Sequence, residues 1–89
     1  MTKHTKTFYR LGVPQAELVW LSTGEVHLQK LTTRPKLGKT FYATVQALKT
    51  KYGKLYTKHL LSDKETTSFN RRLGAVETKR DFAFVYYEL

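Results

Sequence analysis

Residues 39–61 decide the fold: they read KTFYATVQALKTKYGKLYTKHLL, and an apolar side chain recurs there every three or four positions. The members of this series are Phe41, Val45, Leu48, Tyr52 and Leu55. Such spacing places side chains on one face of an α-helix. The pattern predicts a helix over most of this stretch, with the apolar stripe packed on the core.

A glycine interrupts this helical pattern, and a second helix start follows it. Gly53 costs about 1 kcal/mol relative to alanine inside a helix, so we expect a kink or a break there. Ser62 to Glu65 reads S-x-x-E, the capping box that begins a helix. This motif predicts a short second helix that starts at Ser62, and the spacing of Phe69, Leu73 and Val76 continues it. Gly74 could instead end this helix near Leu73.

The N-terminal third has the composition of three strands. Residues 5–11, 17–22 and 25–31 are rich in β-branched, aromatic and alternating side chains, and Pro14 and Gly24 lie between them. A two-residue Thr23–Gly24 turn would set Leu21 opposite Val26 and Trp20 opposite His27. We then expect one apolar sheet face toward the core, made of Val19, Leu21, Val26 and Leu28.

The chain ends on DFAFVYYEL, residues 81–89, which predicts a C-terminal strand. Its aromatic side chains fall on both strand faces, so the strand is either central in a sheet or covered by another subunit. A homodimer through this strand is therefore a hypothesis. The predicted order is β-β-β-α-α-β: a small single α+β domain over residues 1–89, with the N-terminal three-stranded antiparallel sheet packed on one long helix.

Positive charge is concentrated in the middle of the sequence. The 89 residues carry 16 Lys and Arg against 7 Asp and Glu, a net charge of +9. None of the acids lies between Val26 and Ser62, and that stretch holds eight of the basic residues. A regional excess of this kind is typical of a surface that binds phosphates.

Composition excludes several classes of site. The chain has no cysteine, so it holds no disulfide and no thiolate nucleophile. The three histidines are spread along the chain, which argues against a metal site, and we expect no cofactor. No apolar run is long enough to span a membrane. We expect an intracellular protein, cytoplasmic or nucleoid-associated.

We therefore predict a small, non-catalytic nucleic-acid-binding protein, with DNA and RNA both open as targets. Phosphate contacts come from the lysine-rich helix and the loop before it, where Lys51, Lys54 and Lys58 would share one helix flank. Tyr42 and Tyr56 lie on the opposite flank and could stack on bases. The candidate binding residues are Trp20, Arg34, Lys36, Lys39, Tyr42, Lys49, Lys51, Lys54, Tyr56, Lys58, Arg71 and Arg72.

Two architectures could present these residues. In one, the outer face of the three-stranded sheet carries Trp20, His27 and Gln29 into a groove or against single-stranded bases. In the other, residues 51–80 form a helix-turn-helix whose second helix carries Thr66, Thr67, Asn70, Arg71 and Arg72.

Two other functions remain open at this point. The protein could be an inhibitor or adaptor that binds an acidic protein surface, since aromatic and arginine side chains dominate interface hot spots. A metal-independent ribonuclease toxin would use His27 or His59 with Arg71 and Arg72 around a scissile phosphate.

Overall fold

Two three-stranded antiparallel sheets and two helices make up residues 2–89, the part of the chain described by this computed structural model. The elements in chain order are β1 (Lys3–Arg10), β2 (Val13–Leu21), β3 (Val26–Lys30), α1 (Lys39–Tyr52), β4 (Tyr56–Leu60), α2 (Lys64–Arg72), β5 (Val76–Arg80) and β6 (Phe84–Glu88). The strand orders are β1-β2-β3 and β4-β6-β5. The α+β class, the N-terminal sheet with its helix, the second helix and the C-terminal strand are confirmed. The predicted order lacked β4 and β5.

Helix α1 is shorter than the sequence pattern predicts. Gly53 ends it with φ of 83°, and its N–H donates to the carbonyl oxygen of Lys49 at 2.8 Å. A residue in this left-handed conformation closes a helix, and glycine adopts it without steric cost. The continuation to residue 61 was therefore wrong: Lys54, Leu55 and Lys58 lie beyond the helix. Because Leu55 lies seven residues after Leu48, it fits the helical spacing, and the strand that follows it, β4, was therefore predicted as helix.

The hairpin between β2 and β3 differs from its predicted register by one residue. The loop has three residues instead of two, since the N–H of Leu21 donates to the carbonyl of Glu25 at 2.9 Å. Leu18 therefore lies opposite Leu28, and Trp20 opposite Val26. A shift of one residue moves alternate side chains to the other face of a sheet. Val19 and Leu21 were predicted on the inner face but consequently lie on the outer face. Trp20 was predicted on the outer face but lies on the inner face.

The core joins the inner face of the first sheet to α1. Its buried members are Phe8, Leu18, Val26, Phe41, Val45, Leu48 and Leu55. The α1 members are spaced as the helical stripe predicted, and Phe8 packs edge-to-face on Phe41 with 5.2 Å between ring centroids. The predicted core residues Val26, Phe41, Val45, Leu48 and Leu55 are buried here, and Leu28 and Tyr52 pack against them.

Helix α2 is held by polar contacts. Its N-cap is Asp63, not Ser62: the Asp63 carboxylate accepts from the backbone N–H of Thr66 at 3.1 Å and from its hydroxyl at 2.6 Å. Glu65, which was expected to close the capping box, instead pairs with Lys30 at 2.8 Å. The helix ends at Arg72, as expected if Gly74 limits it, and the continuation through Val76 was wrong because Val76 begins β5. Among its nine residues, Asn70 is the buried one.

The helix-turn-helix hypothesis for residues 51–80 is wrong. Its first helix is replaced by β4, because residues 56–60 alternate between exposed and buried positions as a strand does. Asn70, which a recognition helix would expose, is only 6% exposed. The segment after α2 forms β5, a strand at the edge of the second sheet.

The two sheets meet edge to edge at Gly24. Its carbonyl accepts from the N–H of Tyr56 at 2.9 Å, and Leu55 and Leu89 exchange two backbone hydrogen bonds close by. Both helices lie on the same side, because Phe41 of α1 packs on Phe69 of α2 with 5.6 Å between ring centroids. The opposite side of the second sheet has no helix over it within the described residues.

Candidate functional site

The second sheet presents aromatic and basic side chains on its helix-free side. In the ladder of β4 with β6, Lys58 lies opposite Tyr86 and Leu60 opposite Phe84, while Lys79 of β5 lies opposite Tyr86 on its other flank. Residues in register share a face, so these side chains all project to the same side. We call this surface the open face and define it by Tyr56, Lys58, Lys79, Phe84 and Tyr86.

The two lysines of the open face lie directly above its rings. The Nζ of Lys58 is 4.8 Å from the centroid of the Phe84 ring, and the Nζ of Lys79 is 4.6 Å from that of Tyr86. These are cation–π distances, at which the ring quadrupole attracts the ammonium group. Both lysine side chains remain exposed, so their ammonium groups are available to a phosphate.

Acidic groups around the open face are already engaged. Glu88 accepts from Lys54 at 3.0 Å, and this contact raises the pKa of Lys54. The Asp81 carboxylate accepts from the backbone N–H groups of Phe84 and Ala83, which lowers its pKa, and from the hydroxyl of Tyr86 at 3.1 Å. The same bond raises the pKa of Tyr86 and orients its hydroxyl toward Asp81.

The open face continues toward the first sheet through a shallow groove of about 120 Å³. The groove lies where Tyr56 and Tyr86 approach His27 on the outer side of β3. His27 is held there by Glu25, whose carboxylate is 3.0 Å from its Nε2. Tyr56 is 45% exposed, so one more ring is accessible at this end of the surface.

The twelve binding residues predicted from the sequence lie on several separate surfaces. Lys58 and Tyr56 lie on the open face and Lys54 lies beside it. Lys39, Lys49 and Lys51 are exposed on α1, and Arg71 is exposed on α2. A different group lines a cleft on the helix side: Arg34, Lys36, Tyr42 and Arg72.

Trp20 does not belong to either exposed group. It lies on the inner face of the first sheet, packs against the core, and stacks on His4 with 5.5 Å between ring centroids. It is therefore separated from His27 and Gln29, with which it was expected to form a reading face. The flank of three lysines was also wrong, since Lys51 lies in the last turn of α1, Lys54 lies in the following loop and Lys58 lies on a strand.

Sequence reasoning missed three members of the open face: Lys79, Phe84 and Tyr86. The signal was present in residues 84–88, where aromatic side chains alternate on both faces of one strand. Since β6 is the central strand, its inner side buries Val85 and Tyr87, while the two rings on its outer side are half-buried. Both edges of β6 are hydrogen-bonded within the chain, so a homodimer through an edge of this strand would have to displace β4 or β5.

The histidines proposed for ribonuclease chemistry lie on opposite sides of the molecule. His27 is on the outer side, whereas His59 is buried on the inner side and stacks on Tyr87. The Nδ1 of His59 is 2.8 Å from the carbonyl oxygen of Leu60, and its Nε2 is 3.4 Å from the Thr67 hydroxyl. Within residues 2–89, no group of three or more acidic or histidine side chains is arranged to hold a metal ion.

Comparison with known proteins leaves the site to be interpreted from its geometry. No protein-family model matches the chain, and no curated protein is similar to it. Across the described residues, neither helix has the length and apolarity needed to cross a membrane.

Proposed function

We propose that this protein binds single-stranded nucleic acid through the open face of its second sheet, without catalysis. The observation that carries the proposal is the placement of Lys58 and Lys79 above the rings of Phe84 and Tyr86. Aromatic rings on a sheet stack on unpaired bases, and nearby lysines neutralise the phosphates between those bases. On binding, the two ammonium groups would move from the rings to the phosphates, so that the bases could stack. A cytoplasmic or nucleoid location follows from such a partner.

A single strand fits this surface better than a duplex. Bases inside a duplex are stacked on each other and offer their edges, whereas a sheet-borne ring needs an unstacked base. Phe84 and Tyr86 are two residues apart on one strand, and Tyr56 lies toward the neighbouring sheet. The three rings could therefore receive successive bases of one strand.

Charge over the rest of the molecule supports encounter with a polyanion. The net charge of +9 includes exposed lysines on α1 that are remote from the open face. Such charges accelerate association and add non-specific affinity that weakens with salt. We assign them this long-range role, and we assign base stacking to the open face.

Binding is tested by fluorescence anisotropy of labelled single-stranded DNA, single-stranded RNA and duplex DNA across a salt series. We expect saturable binding of single strands and weaker binding of the duplex. Substituting both Phe84 and Tyr86 by leucine keeps the face apolar and removes the rings, so affinity should fall by about 1–3 kcal/mol per stacked base. No binding of any nucleic acid at low salt would overturn the proposal.

A pair of charge variants separates the open face from the sequence-predicted helix surface. Lys58→Gln with Lys79→Gln should lower the slope of log K against log salt by about 1.4, at about 0.7 per phosphate contact. Lys49→Gln with Lys51→Gln removes the same charge from α1 and should lower the slope less. Equal effects would assign binding to diffuse charge instead of the open face.

The alternative, docking on an acidic protein surface, has one specific observation in its favour. Phe82 is 98% exposed in the turn between β5 and β6, and a ring of this kind anchors protein interfaces. Phe82→Ala distinguishes the two functions, because it leaves the rings of the open face in place. Unchanged oligonucleotide affinity in this variant is expected under our proposal.

A further inference from the structure

A cleft of about 740 Å³ lies on the helix side of the sheets, and the aromatic rings of the open face do not line it. Its inner wall is formed by core side chains, and the rings of Phe41, Tyr42 and Phe69 contribute to it. The Phe41 ring is in edge-to-face contact with both of the others, at 5.4 and 5.6 Å. The volume falls within the range of small-molecule sites, which are apolar clefts with a few polar groups.

One polar group in this wall has no partner. Asn70 lines the cleft and is only 6% exposed, and its Nδ2 has no hydrogen-bond acceptor among residues 2–89. A buried donor without an acceptor destabilises the folded state, and each such group requires an explanation. An acceptor atom on a ligand would remove this cost. A ligand in this cleft would therefore need a hydrogen-bond acceptor that can reach Asn70 Nδ2 in the apolar wall.

The lining of the cleft is basic. Its basic lining residues on the helix side are Arg10, Lys30, Arg34, Lys36 and Arg72, and its acidic ones are Asp63 and Glu65. Lys58 also borders the cleft, although its ammonium group lies on the open face. Both acids are engaged: Asp63 caps α2 and Glu65 pairs with Lys30. Arg34, Lys36 and Arg72 are exposed where they line the cleft. Their charges favour an anionic group on the ligand, and arginine suits phosphate oxygens in particular.

We propose that this cleft binds a nucleoside phosphate, with the base in the cleft and the phosphate among Arg34, Lys36 and Arg72. A nucleobase is a flat ring that can pack on aromatic side chains, and its carbonyl or ring nitrogen atoms are acceptors for Asn70 Nδ2. The ligand is either a free mononucleotide or the phosphorylated end of a strand, which share this chemistry. The inference does not depend on the rings of the open face, because Tyr56, Phe84 and Tyr86 do not line the cleft.

The first experiment titrates the protein with AMP, GMP, CMP and UMP by isothermal calorimetry at low salt. We expect saturable binding of at least one of them. Ribose 5-phosphate lacks the base and the nucleosides lack the phosphate, so each should bind at least tenfold more weakly. Absence of saturable binding by all four mononucleotides would overturn the inference.

Asn70→Leu tests the unpaired donor directly. The substitution keeps a similar shape and removes the buried amide, so the midpoint of thermal unfolding should rise by a few degrees while nucleotide affinity falls at least tenfold. If Asn70 were only structural, the midpoint would fall and the affinity of the folded fraction would be unchanged. Undiminished nucleotide affinity contradicts the inference.

Charge variants on α2 test nucleotide binding independently, even if Asn70→Leu does not fold. Arg72→Gln removes a charge that lines the cleft, whereas Lys64→Gln removes one from an exposed position on the same helix outside it. We expect at least a threefold loss of nucleotide affinity in the first and no change in the second. Equal losses would contradict the placement of the phosphate.

Two further experiments distinguish a free mononucleotide from the end of a strand, and binding in the cleft from binding on the open face. If the natural ligand is a strand end, a 5′-phosphorylated oligonucleotide should displace the mononucleotide better than its unphosphorylated counterpart. If it is free, neither oligonucleotide should displace it. The variant with Phe84 and Tyr86 replaced by leucine should retain mononucleotide binding, so loss of strand binding and loss of cleft binding are separable results.

Discussion

The two halves of this molecule use their apolar side chains in opposite ways. The first sheet and α1 bury them, with Leu18 and Val26 packed on the stripe of the helix. The second sheet places Phe84 and Tyr86 on its outer side. On its inner side, polar His59 of β4 and Asn70 of α2 are buried beside Val85 and Tyr87. Under our proposal, stability and recognition are therefore divided between neighbouring sheets.

This division has a physical basis in the helices. Helix α1 carries a stripe of apolar residues that matches an apolar sheet face, so its packing is driven by burial. Helix α2 has no such stripe: its sequence is KETTSFNRR, and it is held by the Asp63 cap, the Thr67 contact with His59 and the partly buried Phe69. We expect the second half to be the more sensitive to pH and to local polar substitutions.

The largest effect should come from truncating the buried stripe. Leu48→Ala removes a side chain that is 7% exposed, and a cavity at such a site costs about 2–5 kcal/mol of unfolding free energy. Leu60→Ala is the matched control, because Leu60 is 53% exposed on the second sheet and its loss should cost less than about 1 kcal/mol. Urea denaturation measures both. Equal costs would contradict the division between the halves.

The junction between the halves should be the next most sensitive position. A Cβ at Gly24 would lie 2.7 Å from the carbonyl oxygen of Lys54, and the residue has φ of 92°. Gly24→Ala should therefore cost about 1–3 kcal/mol or more, from backbone strain and from this backbone clash. Gly12→Ala shares the positive φ but meets open space, so it isolates the strain alone. Equal destabilisation of both variants would show that the sheets do not abut closely.

A smaller effect is expected at the cap of α2. Asp63→Ala removes an N-cap and should cost about 1 kcal/mol, whereas Asp63→Asn should retain most of the cap. The hydroxyl of Thr66 lowers the pKa of the Asp63 carboxyl in the folded state. A lowered folded pKa stabilises the protein above the unfolded pKa, and this stabilisation is lost as pH falls through the folded value.

The pH dependence supplies the check on that cap. Unfolding free energy measured from neutral pH into the acid range should fall more steeply for the wild type than for Asp63→Asn, because the amide does not titrate. Identical acid limbs would mean that Asp63 does not contribute through its charge.

The apolar patterns of the sequence predicted the first half of the fold well. The helical stripe of α1 was identified through Leu48, and three N-terminal strands were assigned in the correct order. The register failed because Thr23–Gly24 does not distinguish a two-residue loop from a three-residue loop, and one residue exchanges the faces. Trp20 was placed on the wrong side for this reason.

The second half was harder to predict because its signals are short and conflicting. Leu55 continues the helical spacing of α1, so β4 looked like helix, and only the left-handed Gly53 ends it. Strand β5 is exposed throughout and shows no apolar alternation to detect. The strand that carries Lys79 was therefore not predicted, and Lys79 was not placed beside Tyr86. The aromatic side chains of β6 were interpreted as a possible dimer interface instead of as part of the open face.

A residue-resolved NMR titration of the labelled protein with a short oligothymidylate at low salt tests most directly whether the second sheet binds single-stranded nucleic acid. We predict that amide shifts concentrate in β4, β5 and β6, around Lys58, Lys79 and Tyr86, and that those of α1 change little. Shifts concentrated at the exposed lysines of α1, or no shifts at all, would contradict the assignment of recognition to the second sheet.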